Sequence, residues 1–237
     1  MVPLSFAGRD FIATREGALF CTDSRALIVA DLHLEKASWY ARMGQLLPPY
    51  DSLATLDRIE QLADRLDAAA LWCLGDNFHD VGGPARLPAG ARARLERLGR
   101  RLDLHWIVGN HDPQLTETFG GSAHEEAWLG GIALRHIARR GARGAELSGH
   151  FHPKLRLSVR GHRVARPCFV RAGDRIVLPA FGSLTGGMAA FDPAIADALG
   201  PIEAAMIVVS GRLLTFPNAP AALSRPHAMA QCAGRST

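Results

Sequence analysis

Five short apolar runs in this chain each end abruptly in Asp, His or Asn. Ala26–Ala30 leads into Asp31-Leu32-His33, and Ala69–Leu74 into Gly75-Asp76-Asn77. Leu104–Val108 leads into Gly109-Asn110-His111-Asp112, and Ala145–Ser148 into Gly149-His150-Phe151-His152. The run Ile132–His136 closes on His136 itself. Apolar runs this short, bounded by Gly and polar residues, have the length of buried strands rather than helices. Between the first three lie helical patterns. Asp51 or Ser52 is placed to cap a helix whose apolar face is Leu53, Leu56, Ile59, Leu62 and Leu66. A second helix, Ala89–Leu102, carries Arg on its outer face. Strand, helix, strand, helix, strand at this spacing implies parallel pairing with crossover helices. Ligands of such sheets gather beyond the carboxyl ends of the strands, so the polar clusters predict one shared site.

After about Ser122 the texture becomes mainly β: short apolar runs at Ile132–His136, Ala145–Ser148, Leu155–Val159, Cys168–Val170 and Ile176–Leu178 alternate with Gly and charged turns. A short helix is expected over Ala194–Leu199 and a final hairpin over Ala204–Ser210 and Leu213–Phe216. No linker divides the chain, so one domain is expected over 1–216. A loose tail is expected from Pro217 to Thr237, which has no periodicity.

The clustered residues define a chemistry. Two carboxylates, an Asn amide and several imidazoles form a mixed oxygen and nitrogen donor set without thiolate. Such a set suits Mn²⁺, Fe or Zn²⁺ better than Ca²⁺ or a structural zinc. Asp31-x-His33 and His150-x-His152 place alternate side chains on one side of an extended segment, so both members of a pair reach one cavity. The four cysteines are scattered with no CxxC pair, which excludes a zinc ribbon or a redox motif. A net charge of +4 permits a nucleic-acid partner without requiring one. No apolar run reaches the length of a membrane span, and the first eleven residues lack a signal-peptide pattern, so the expected compartment is the cytoplasm.

Taken in order, Asp31-x-His33, Gly75-Asp76, Gly109-Asn110-His111-Asp112, His136 and Gly149-His150-x-His152 resemble the signature of the calcineurin-like metallophosphoesterases. The resemblance implies a four-layer α/β/β/α sandwich and two divalent metal ions, Mn²⁺ foremost. It implies that Asp31, His33, Asp76 and His152 hold one ion. Asp76 would bridge to a second, completed by Asn110, His136 and His150. His111 matches the family's general acid, with Asp112 expected to orient it. Asp31–Lys36, Leu74–Asp80, Gly149–Pro153 and Leu178–Gly187 are similar to a narrower bacterial branch, the ligase-associated DNA-damage-response phosphoesterases. That likeness implies a DNA endonuclease or phosphodiesterase in repair, with an ATP-dependent DNA ligase and a helicase-like protein as partners. Hydrolysis of a small nucleotide or cyclic phosphoester, and a metal-stabilised scaffold for those partners, stay open beside it.

Lys36, Arg42, His79 and Lys154 flank the motifs and are the expected substrate contacts. Trp39 and Tyr40 are placed either to stack on a base or to pack at the rim. The arginines from Arg86 to Arg101 read as the solvated face of a helix in preference to a DNA-binding stripe. Gly182–Gly187 reads as a tight turn near the site, since no Lys completes a phosphate-binding loop.

Overall fold

The computed structural model describes residues 1–115, 117–159 and 161–218. Two sheets of seven strands each dominate it. The first runs in sequence order: β1 (Val2–Phe6), β2 (Arg9–Ala13), β3 (Leu19–Cys21), β4 (Ala26–Val29), β5 (Ala70–Leu74), β6 (Asp103–Ile107) and β7 (Ser122–His124). From β4 to β6 the pairing is parallel, as the strand–helix alternation requires, and β7 adds parallel to β6 after a segment without a helix among the described residues. Residues 2–21, unassigned from sequence, extend this sheet as an antiparallel meander.

Helices α1 (Lys36–Arg42), α2 (Asp51–Arg65), α3 (Gly83–Arg86) and α4 (Ala89–Arg101) fill the crossovers. The expected apolar stripe of α2 is buried at Leu56, Ile59 and Leu62, beside Leu95 and Leu98 of α4. The outer arginines of α4 pair with acids: Arg94 with Asp57 and Glu60, Arg97 with Glu60, and Arg101 with Asp64. That face is thus ion-paired and solvated, as expected.

The second sheet has the order β16-β15-β13-β14-β10-β9-β8. Its members are β8 (Ala127–Leu129), β9 (Ile132–Leu134), β10 (Glu146–Ser148), β13 (Phe169–Ala172), β14 (Arg175–Val177), β15 (Ala204–Val209) and β16 (Arg212–Pro217). A parallel trio, β9-β10-β14, sits inside this mostly antiparallel sheet. Helix α5 (Pro193–Leu199) contributes Ile195 and Leu199 to the core over its outer face. A separate two-stranded ribbon joins β11 (Lys154–Val159) to β12 (His162–Pro167). Of the expected tail, Pro217 ends β16 and Asn218 donates its N–H to the Glu203 carbonyl; residues 219–237 lie outside the described residues.

Alternation along the strands explains the layering. Leu27 and Val29 of β4, Leu71 and Cys73 of β5, and Leu104 and Trp106 of β6 face the helices. Ile28, Trp72, Leu74 and Ile107 face the second sheet, against Ile132, Leu134, Leu147 and Ile176. A third cluster lies between the second sheet and α5. Three apolar layers between four layers of structure give the α/β/β/α sandwich, and strands buried on both faces read as unbroken apolar runs.

One expectation fails locally. Neither Asp51 nor Ser52 caps α2, whose N-cap position is Tyr50. Both turn to the preceding segment instead. Asp51 Oδ2 accepts the Ala37 N–H, and Ser52 Oγ accepts the Glu35 N–H while donating to Glu35 Oε1. An orphan N–H in the first turn of α1 takes the carboxylate.

A buried ion triad ties the second sheet together. Glu146 on β10, 1% exposed, accepts from Arg175 and Arg135. Arg175 also donates to the terminal carbonyls Ala198 and Leu199 of α5, 3.1 and 2.9 Å away. Replacing Glu146 by Ala leaves the Arg175 guanidinium buried beside no carboxylate. The expected cost is about 3–5 kcal/mol, read as a lowered urea midpoint with an unchanged m-value.

Candidate metal centre

All five strand-end clusters converge. The loops after β4, β5 and β6 of the first sheet meet those after β9 and β10 of the second, at one end of the inter-sheet layer. The first two loops are stitched by their backbones: Asp31 N–H donates to Gly75 O, His33 N–H to Asp76 O, and Leu34 N–H to Asn77 O. His150 N–H in turn reaches the Asp31 carboxylate at 2.9 Å, bringing the second sheet's loop against the first.

Asp31, His33, Asp76, His150 and His152 all adopt positive φ, between 44° and 74°. Left-handed backbone at non-glycine residues is uncommon, and it clusters where surrounding structure holds side chains in place for function. Two glycines make the approach possible. Gly75, at φ 77°, lies so close to the His136 ring that a Cβ would overlap it. A Cβ on Gly109 would collide with the backbone nitrogen of Asp76.

Three groups of donors result, each with its ligand atoms within 4.8 Å of one another; His33, His79 and His111 form one at the rim, and the two that contain carboxylates are Asp31, His33, Asp76 and His152, and Asp76, His136 and His150. Asp76 belongs to both. Asn110 Oδ1 is 2.9 Å from His136 Nε2 and joins the second cluster. These are the two groupings expected from sequence.

The donors fit divalent cations. His33 Nε2 stands 3.3 Å from His152 Nε2, and His150 Nδ1 3.2 Å from His136 Nε2. A cation about 2.1 Å from each nitrogen has ligand–ligand edges of roughly 3.0–3.4 Å. His136 Nδ1 faces the Leu74 carbonyl at 3.1 Å and donates to it, leaving Nε2 free to bind a metal. Burial favours the neutral, ligating form of the His33 and His150 rings. It lowers the His33 pKa to about 2, helped by His152, His111 and Lys36. Burial, then neighbouring His136, lowers that of His150.

His111 lies at the rim. Its N–H donates to Asp76 Oδ1 at 2.9 Å, and its ring packs edge-on to His33 at 4.9 Å. The expected contact with Asp112 is not what orients it. Asp112 is buried, and its carboxylate instead accepts the N–H groups of Gly109, Asn77 and Phe78 at 2.9, 2.8 and 3.1 Å. Burial pushes its pKa up, against those hydrogen bonds. His111 is oriented by a backbone group, the His79 carbonyl, 2.7 Å from Nδ1. A carbonyl carries no sequence signal, so residue types alone could not reveal this partner.

His79 is drawn fully into the site. It stacks on His111 at 4.9 Å, and its Nδ1 lies 3.4 Å from His33 Nδ1. Burial, then the charges of Lys36 and His111, lowers its pKa to about 4. Trp39 and Tyr40 of α1 pack around it, at 4.9 and 6.0 Å. Lys36 stands close enough for Asp51 and Asp76 to oppose the lowering of its pKa by burial. Arg42 is exposed at the end of α1, its charge acting on Asp80. Lys154 turns from the clusters and donates to the Thr185 carbonyl at 3.1 Å. The 182–187 segment packs against the first loop: Phe181 N–H donates to Ala30 O and Gly182 N–H to Asp31 O. His105, away from the motifs, stacks on Trp72 at 3.8 Å and is structural.

Residues 24–162 match the model of the calcineurin-like phosphoesterases, and the chain belongs to that family. Among solved structures it is similar to nuclease MPE of Pseudomonas putida, at 30% identity over 90% of this chain and 98% of that one, with a TM-score of 0.69. It is also similar to Yfce, a phosphoesterase from E. coli, at 15% identity over 81% of this chain and 98% of that one, with a TM-score of 0.41. No curated protein matches. The chain is thus a metal-dependent phosphoester hydrolase. No helix among the described residues is long and apolar enough to cross a membrane.

Gly109→Ala pushes a methyl group against the Asp76 backbone. Displacing a shared ligand by even 1 Å is expected to lower metal-dependent diester hydrolysis by about 10²-fold or more. Metal content by mass spectrometry should fall with it.

Proposed function

We propose that this chain is a dinuclear phosphodiesterase that cleaves DNA in repair. The observation that carries the reading is the sharing of Asp76 between two adjacent donor clusters. Asp31, His33, Asp76 and His152 would hold one ion; Asp76, Asn110, His136 and His150 would hold the other, Mn²⁺ being the first expectation. Bound there, such ions supply a hydroxide at neutral pH and neutralise charge on the phosphoryl oxygens.

The chain's own residues do the rest. His111 donates through Nδ1 to the His79 carbonyl, so its Nε2 is the nitrogen available to the substrate. As an imidazolium it gives the Nε2 proton to the departing sugar oxygen and stays held through Nδ1. Asp112 fixes the loop that presents His111, by tying the backbones of Gly109, Asn77 and Phe78. His79 and Lys36 line the approach to His111.

DNA is the substrate that the likeness to a nuclease favours. The branch-specific segments Leu74–Asp80 and Leu178–Gly187 support a repair role beside a DNA ligase and a helicase-like protein, with the cytoplasm as the compartment.

The test compares leaving groups. A sugar alkoxide needs a proton as it departs and nitrophenolate does not. His111→Ala should therefore slow DNA cleavage by about 10²–10⁴-fold while slowing a nitrophenyl diester far less. Equal losses on both substrates remove His111 from the acid role. Asp76→Ala should lose both ions and both activities together; persistent hydrolysis would refute the shared-ligand assignment.

A further inference from the structure

We infer that the β11–β12 ribbon is a second, non-catalytic nucleic-acid contact, an arm that holds the phosphate backbone beyond the scissile bond. The inference rests on the nuclease reading above and adds a surface to it.

The ribbon belongs to neither large sheet. It starts two residues after His152, a candidate ligand, and its base is anchored. Lys154 N–H donates to Met188 O, Ala190 N–H to Lys154 O, and Cys168 N–H to Pro153 O. Leu155 is buried and Leu157 packs against the α5-side core. Six residues of β11 at about 3.3 Å each extend roughly 20 Å from that base. That is about six nucleotide steps of a duplex strand at 3.4 Å each.

Its charge is of one sign. Residues 154–167 contain Lys154, Arg156, Arg160, Arg163 and Arg166, and no Asp or Glu. The register pairs Arg156 with Ala165 and Ser158 with Arg163. Directly opposed residues share a face, so Lys154, Arg156 and Arg163 project from the same side. They line one groove with Gly187, and no acidic residue among the described residues lines it. Arg156, Arg163 and Arg166 are all exposed.

The arginines of α4 differ, since Arg94, Arg97 and Arg101 are neutralised by α2 acids. A long exposed ribbon carrying cations and no acids desolvates little until a polyanion supplies the counter-charge. A groove that begins at the catalytic end and tracks outward fits a phosphodiester chain rather than an isolated phosphate.

The test is binding of fluorescein-labelled single-stranded and duplex 20-mers with phosphorothioate linkages, which resist cutting, to the full-length Mn²⁺-loaded protein across a salt series. The Arg156→Ala/Arg163→Ala variant should bind about tenfold more weakly at low salt. Its slope of log K against log salt should fall by roughly 1.4 on single strands, or 1.8 on duplex, for two lost phosphate contacts. The Arg156→Lys/Arg163→Lys variant should bind almost as the native protein does. Hydrolysis of a nitrophenyl diester should be unchanged in both variants, because so small a substrate does not reach the arm. Unaltered affinity and slope in the alanine variant overturn the arm, as does a parallel loss of nitrophenyl hydrolysis, which would mark a general structural defect. Native protein that hydrolyses the small diester but neither binds nor cuts DNA overturns the nuclease reading itself, a separate result.

Discussion

Asp76 is held in a left-handed backbone conformation at the point where the two sheets' loops meet, and most of the site is arranged around that fact. Its carbonyl accepts the His33 N–H and its carboxylate the His111 N–H. Gly109 is close enough to its backbone to exclude any side chain, and the next residue, Asn77, is tied to Asp112 and to the Ile107 carbonyl. Such a conformation costs of order 1–3 kcal/mol per residue and persists only where the neighbours over-determine it. Here the neighbours are hydrogen bonds from three loops, each fixed at a strand buried on both faces. The rigidity of the core is what lets a strained loop keep its geometry.

The electrostatics follow from burial. Removal from water, then neighbouring imidazoles, push His33 and His150 towards neutrality. The carboxylates of Asp31 and Asp76, both almost wholly inaccessible, lie among these rings. A cavity of this composition is costly unless cations fill it. Around it the protein handles its many arginines differently: Arg94, Arg97 and Arg101 of α4 pair with acids of α2, Arg175 and Arg135 are locked on Glu146, and Arg156, Arg163 and Arg166 of the ribbon are left to solvent.

Much was legible in the sequence because it depended on short-range rules. Buried parallel strands leave apolar runs, and chemistry at their carboxyl ends leaves Asp, His and Asn just after them. Hence Asp31, His33, Asp76, Asn110, His136, His150 and His152 could be grouped before any fold was known, and each lies in the donor clusters. The apolar stripe of α2 and the arginine face of α4 were equally plain. The meander of residues 2–21 was not, since its strands are short, partly polar and separated by turns without a strong signal.

Packing in three dimensions settled the contacts made by groups without a residue signature or with partners distant in sequence. Asp51 and Ser52 looked like caps of their own helix, but loop-to-helix packing offered them the N–H groups of Ala37 and Glu35 instead. Asp112 looked like the partner of His111, yet three backbone N–H groups claim its carboxylate, and the histidine turns to the carbonyl of His79, 32 residues away. Every residue has such a carbonyl, so composition cannot say which one points at a ring. Residue order was enough to name the side chains offered to a metal and the strands that carry them. The packing of two sheets determined which of those atoms meet, because their separation along the chain is bridged only by the core between them.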